Sequence, residues 1–194
     1  MSKILVVATG NPGKLQEMQA YLTGLDWESQ LKPEDLEIEE TGTTFAANAC
    51  LKASQIAIAT GNYAIADDSG LEVAALNGAP GIYSARYANS DSERIARLLA
   101  ELGDTANRRS QFVCAVAISD PSGEIVLQSV GICQGEILYS PRGMGGFGYD
   151  PIFYVPAYQS TFAEMPKELK HQISHRGQAF GALLPQLQAL RLSL

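Results

Sequence analysis

Ile4-Leu5-Val6-Val7-Ala8-Thr9-Gly10-Asn11-Pro12-Gly13-Lys14 decides the fold class. The run from Ile4 to Ala8 is continuously apolar and reads as a buried strand. Gly10-Asn11-Pro12-Gly13 is a turn, and beyond it Leu15, Met18 and Leu22 recur at helical spacing until Gly24. A buried strand that feeds a helix through a glycine-rich turn is how an α/β chain begins.

The rest of the chain agrees. Phe45 to Thr60 is an Ala-rich helix with Phe45, Ala49, Lys52/Ala53, Ile56 and Ala59 on one stripe, stopped by Gly61. Tyr63 to Ala66 reads as a short strand ending at Asp67-Asp68, after which Ser69 caps a short helix through Leu76. The acidic stretch Glu34 to Glu40 leaves room for a short strand. A helix starts at Asp91 or Ser92, with Ile95, Leu98, Leu99 and Leu102 inward. Phe112 to Ile118 and Ile125 to Ile132 flank Asp120-Pro121-Ser122-Gly123, a hairpin signal. Glu136 to Tyr139 extends the sheet, a glycine-dense loop spans Arg142 to Gly148, and a short strand lies near Ile152-Phe153-Tyr154. The last helix runs from about Gly177 to Leu192, perturbed by Pro185. With no repeat and no linker, one α/β domain over residues 1–194 is expected, built on a mixed, partly antiparallel sheet flanked by helices.

With 194 residues, 46% apolar and 18% charged, the chain has material for a real core and is not disordered. Fourteen Lys plus Arg against 21 Asp plus Glu leave a net charge of −7, the wrong sign for a nucleic-acid polymer as partner. A small anion still fits if a few cations converge. Cys50, Cys114 and Cys133 are odd in number and far apart, so reduced thiols are expected rather than a disulfide framework or zinc ribbon. Met1-Ser2-Lys3 precedes an apolar run too short for a signal peptide, and no stretch reaches a membrane span, so a soluble, reducing compartment is expected.

Thr9, Gly10, Asn11, Pro12, Gly13 and Lys14 lie where backbone N–H groups and a helix N-terminus face an anion, with a full positive charge beside them. Leu15 excludes a Walker A loop. Asp67 and Asp68 close an apolar strand, where charge must be paired or metal-bound. Neighbouring strand residues point to opposite faces, so one of them can hold Mg²⁺ or take a proton from water while the other braces a loop or caps a helix. Glu39-Glu40-Thr41-Gly42 offers further oxygen ligands or a solvated face. Lys52 either reaches a phosphate or snorkels to solvent. The glycines and aromatics of Gly145 to Asp150 suit a base sandwich or a plain tight loop. Lys170, His171, His175 and Arg176 form a donor cluster; the i, i+4 histidines lack the Glu of HExxH, which disfavours zinc.

In order along the chain, TGNPGK, EETGTTFAANACLKA, ADDSGLEVAALNGAPGIYSARYA, GGFGYDPIF and SHRGQA resemble the inosine triphosphate pyrophosphatase family, bacterial branch, from Ile4 to about Leu184. The resemblance implies an elongated mixed sheet whose helices form two lobes around an active-site cleft. It implies a cytoplasmic homodimer that hydrolyses non-standard purine nucleoside triphosphates (ITP, dITP and XTP) to the monophosphate and pyrophosphate with Mg²⁺. By position, Thr9 through Lys14 and Lys52 match phosphate-binding residues. Glu39 and Asp68 match metal ligands, with Asp68 also the proton acceptor and Ser69 beside it. Phe147, Gly148, Tyr149, Asp150, Lys170, His175 and Arg176 match the nucleotide set. Ala47 departs from the pattern, since many bacterial relatives carry Glu there. Lys170, His175 and Arg176 are expected to donate to the purine C6 oxygen, which adenine lacks. The competing expectations are a pyrophosphatase of related fold for modified pyrimidine nucleotides and a non-catalytic nucleotide sensor.

Overall fold

In the computed structural model, which describes residues 3–192, the opening segment forms β1 (Lys3–Val7) and α1 (Pro12–Leu22). Met1, Ser2, Ser193 and Leu194, part of the expected domain over 1–194, lie outside the described residues, and with Met1 and Ser2 goes the start of the N-terminal reading. Asn11 caps α1 by accepting from the amides of Gly13 and Lys14, and Pro12 occupies the first helical turn, where a missing N–H costs nothing. The Ala-rich helix α2 (Phe45–Thr60) has the expected bounds, with Thr44 as N-cap and Gly61 in the left-handed conformation at its end. Its inner face holds Phe45, Ala49, Ala53 and Ile56, but Ala57 rather than Ala59 closes the stripe, and the polar Asn48 is on it as well.

The largest departure concerns β3 (Tyr63–Val73). The strand does not stop at the aspartates: it passes through Asp67, Asp68, Ser69 and Gly70, and only a short 3₁₀ turn, Ala74–Leu76, follows. Cations satisfy Asp67 inside the sheet, and Leu71 and Val73 resume the buried pattern beyond, so nothing forces the strand to end. Neither Asp68 nor Ser69 caps a helix.

Other boundaries shift for local reasons. No strand forms over residues 34–40; β2 (Trp27–Leu31) lies earlier, and of its residues only Trp27 is buried, so it shows no alternation to read. α3 (Asp91–Leu102) starts behind Ser90, whose side chain accepts from the Glu93 amide, and buries Ile95, Leu98 and Leu102. β4 (Arg109–Ser119) and β5 (Ile125–Ile137) flank the expected turn, where Asp120 Oδ1 accepts from the amides of Ser122 and Glu124. β6 (Phe153–Val155) is followed by a two-residue β7 (Ser160–Thr161) too short for any periodicity. An unexpected helix, α4 (Lys167–Ile173), precedes α5 (His175–Leu192), which begins two residues early and contains Pro185 without ending there. Burial of Phe180, Leu183 and Leu187 on both sides of the proline holds the helix together.

The strand order is β2-β1-β3-β4-β5-β6-β7 in one seven-stranded sheet. β1 pairs parallel with β2 and β3, and β6 pairs antiparallel with β5 and β7, so the sheet is mixed as expected. The chain divides into two compact units, the first comprising residues 1–68, 114–131 and 176–194 and the second 69–113 and 132–175. Each has its own core. Leu5, Met18, Ile65, Ile118 and Phe180 are fully buried in the first, with Tyr21 stacked on Phe180 at 4.7 Å. Leu71, Leu98, Ile137, Phe153 and Phe162 fill the second, with Phe112 against Phe153 at 4.6 Å. The three cysteines are free thiols, and burial pushes Cys114 up to about 12 and Cys133 up to about 11.

Candidate functional site

In the first unit, the pleat of β3 separates the two aspartates. Asp67 accepts from Arg176 Nη2 at 3.0 Å and pairs with Lys14 Nζ at 3.3 Å; Arg176 is also bonded to Glu17. Asp68 accepts from Asn48 Nδ2 at 3.0 Å and has Lys52 Nζ 3.9 Å away. Lys52 in turn donates to Glu40 at 2.6 Å.

The two carboxyls are tuned in opposite directions. Burial disfavours the charge on Asp67, but Lys14, Arg176 and Lys52 outweigh it and hold that carboxyl well below the ordinary range. Burial pushes Asp68 upward, and there Lys52, Lys14 and the Asn48 hydrogen bond only partly offset it, while Glu40 adds to the rise. Asp67 is a fixed counter-ion; Asp68 is the basic carboxylate, suited to accepting a proton.

The β1–α1 turn uses its own donors. The Asn11 amide donates to Thr9 Oγ1 at 3.2 Å, and those of Gly13 and Lys14 donate to Asn11 Oδ1. Three amides of the expected anion cradle are therefore engaged within the turn, two of them in capping α1, and Lys14 brings a positive charge beside it. Glu39, the expected metal ligand, is exposed, and the neighbouring Glu40 is the acid that meets Lys52.

In the second unit, Asp150 Oδ2 accepts from the Phe147 amide at 2.9 Å and from Lys170 Nζ at 2.6 Å. Lys170 lies over the rings of Phe147 (4.9 Å) and Phe162 (5.6 Å), and His175 stacks on Phe112 at 4.6 Å and 10°. Gly146 is required in this loop: its φ is +72°, and a Cβ there would fall 2.0 Å from Asp150 Oδ2. The result is a cation and a carboxylate among flat aromatic faces, a setting for a planar ligand with polar edges. Two expected contributors are otherwise engaged. The Gly148 amide donates to Asp91 at 2.7 Å, and Tyr149 is buried with its hydroxyl donating to the Ser84 carbonyl at 3.0 Å. Ser69 is half-buried in β3. Arg176, expected to read the base, has its guanidinium on Asp67 and Glu17 of the first unit, because a fully buried charge needs opposite charges around it.

Asn48, Glu17 and the aromatic pair Phe112 and Phe162 escaped the sequence reading, which named Glu40 only as part of the acidic Glu39–Gly42 stretch. Asn48 alone left a usable signal, a polar residue amid an apolar helical stripe.

The Ham1 family profile matches residues 5–186. The dITP/XTP pyrophosphatase of Nostoc sp. is 68% identical over 98% of this chain and 97% of its own length, and that of Synechocystis sp. is 59% identical over 96% of each. Among solved structures, a HAM1 protein from Coxiella burnetii superposes with a TM-score of 0.87 at 43% identity, covering 99% of this chain and 100% of its own. The Ham1 protein of Staphylococcus aureus gives 0.84 at 46%, covering 98% and 99%. Profile match, full-length similarity and fold agree: the chain belongs to the Ham1 family.

Proposed function

We propose that this protein is a dITP/XTP-type pyrophosphatase, hydrolysing non-standard purine nucleoside triphosphates to the monophosphate and pyrophosphate. The observation that carries the reading is Asp68, a buried carboxylate of raised basicity, oriented by Asn48 and set beside Lys52. Relatives as similar as 68% carry that activity in their names.

Asp68 takes the proton of a water that attacks the α-phosphorus, and pyrophosphate leaves. Lys14 and Lys52 each exchange part of their carboxylate pairing for phosphate oxygens, so their charge meets the negative charge that develops on the leaving group. Asp67 remains ionised throughout and keeps Lys14 and Arg176 in place.

Mg²⁺ belongs to the same proposal, and the donor set fits it. Among the described residues no group of three or more His, Cys, Asp or Glu converges into a cage. Asp68 and Glu40, whose carboxylates both approach Lys52, would hold the ion through oxygen ligands suited to a hard cation, with the exposed Glu39 as the further ligand. When bound, it supplies Lewis-acid stabilisation of phosphate charge.

The Phe147–Asp150–Lys170 cluster takes the purine ring, with Lys170 donating toward the C6 oxygen. A cytoplasmic homodimer completes the reading; no helix among the described residues is long and apolar enough to cross a membrane. The test is pyrophosphate release from dITP, XTP, ITP, GTP and ATP, with and without Mg²⁺. Release from dITP, XTP and ITP is expected; equal release from ATP, or none from any purine, overturns it.

A further inference from the structure

Asn48 has a place that the motifs do not explain, and the proposed reaction uses only one end of it. It sits on the inner face of α2, fully buried, and both ends of its carboxamide are used. Nδ2 donates to Asp68 Oδ2 at 3.0 Å, and Oδ1 accepts the Gly42 amide at 2.8 Å. A methyl group on Gly42 would stand 2.6 Å from Asn48 Oδ1 and 2.9 Å from the Ala47 Cβ, so the turn presses directly on the helix at this point. Gly42 is two residues beyond Glu40, whose carboxylate reaches Lys52 one helical turn beyond Asn48.

A purely structural polar residue could satisfy its hydrogen bonds anywhere in the core. This one joins the proposed base to the loop that carries the acid beside it, and its amide geometry fixes both in one step. We infer that Asn48 is a positioning residue: it clamps the Glu40–Gly42 loop to the Asp68 carboxylate and so fixes the orientation of that carboxylate beside Lys52. Held through Oδ2 by the Asn48 carboxamide, the Asp68 carboxylate keeps one orientation, which is what a positioned proton acceptor requires.

The inference rests on the proposed hydrolysis, and its experiment separates the two. Asn48→Asp keeps an oxygen for the Gly42 amide but loses the N–H toward Asp68; Asn48→Ala loses both; Gly42→Ala disturbs the clamp from the loop side. With XTP and the full-length protein, kcat is expected to fall about 10- to 100-fold in both Asn48 variants, with KM within about threefold. The Gly42→Ala, Asn48→Ala double variant is expected to lose no more than the worse single one. Amide hydrogen exchange at Gly42 is expected to stay slow in Asn48→Asp and become fast in Asn48→Ala, a readout independent of turnover. If an Asn48 variant does not fold, Gly42→Ala carries the kinetic test alone. Unchanged kcat in the folded variants, a loss confined to KM, or additive losses in the double variant overturns the clamp. Absence of pyrophosphate release by the unaltered protein overturns the function instead, and the exchange data still decide whether the clamp exists.

Discussion

The polar cluster of the first unit and that of the second use charge in different ways. Around Asp67 and Asp68, three cations and four carboxylates form two adjoining groups, Lys14 and Arg176 with Asp67 and Glu17, and Lys52 with Asp68 and Glu40, and each lysine's charge is felt by both aspartates. Around Lys170 an ion pair with Asp150 lies among Phe147 and Phe162. The first arrangement can redistribute charge when a polyanion arrives, because each lysine has a carboxylate to exchange. The second holds one donor rigidly beside apolar faces, which suits a flat, nearly neutral ring. On the proposed function, the contrast makes phosphate chemistry and base selection separable, and mutations should separate them.

The largest effect is expected at the proposed base. Asp68→Asn should lower kcat about 10²–10⁴-fold while XTP binding, followed by equilibrium dialysis, stays within a few-fold. Retained turnover would remove Asp68 from the reaction. Next, Lys52→Met should reduce kcat/KM about 100-fold for every triphosphate tested, without changing the preference among bases. Phe147→Ala belongs to the other cluster, so KM should rise about 5- to 100-fold with kcat spared, as befits a lost stacking face. A fall in kcat alone would blur the separation.

The smallest expected effect is one of stability. Partner charges hold the Asp67 carboxyl below its unfolded value of about 3.9, so its contribution is fully present above roughly pH 5. It is lost as pH falls through the depressed folded value, because protonation then favours the unfolded chain. Acid unfolding followed by circular dichroism should therefore steepen below about pH 4, and Asp67→Asn should flatten that dependence. An identical acid limb in both proteins would show that Asp67 is not the group responsible.

Much of this was legible in the sequence where the signal is local. Asn11 and Pro12 mark the start of α1, Thr44 and Gly61 bracket α2, and Asp120 to Gly123 make the hairpin turn, because caps and turns depend on residues a few positions apart. The same logic failed where long-range contacts override local preference. Asp67-Asp68-Ser69 reads as a strand end and helix cap, yet the strand continues through it since Arg176, 109 residues away, neutralises Asp67. The motif near the C-terminus placed Lys170, His175 and Arg176 together as base readers, and the fold gave them different partners: Asp150, the ring of Phe112, and Asp67 with Glu17.

What the residues determined on their own was the α/β class, the helix limits that carry caps, and the short roster of charged groups available for chemistry. Periodicity and capping act within one or two turns of chain, so the order of amino acids is enough to reveal them. The division of labour between Asp67 and Asp68, the choice of Glu40 over Glu39 beside Lys52, and the bridging of Asn48 were decided only by tertiary structure. A buried charge takes its properties from whatever opposite charge or dipole packing brings within a few ångströms, and that neighbour is set by how helices lie on strands rather than by adjacency in the chain.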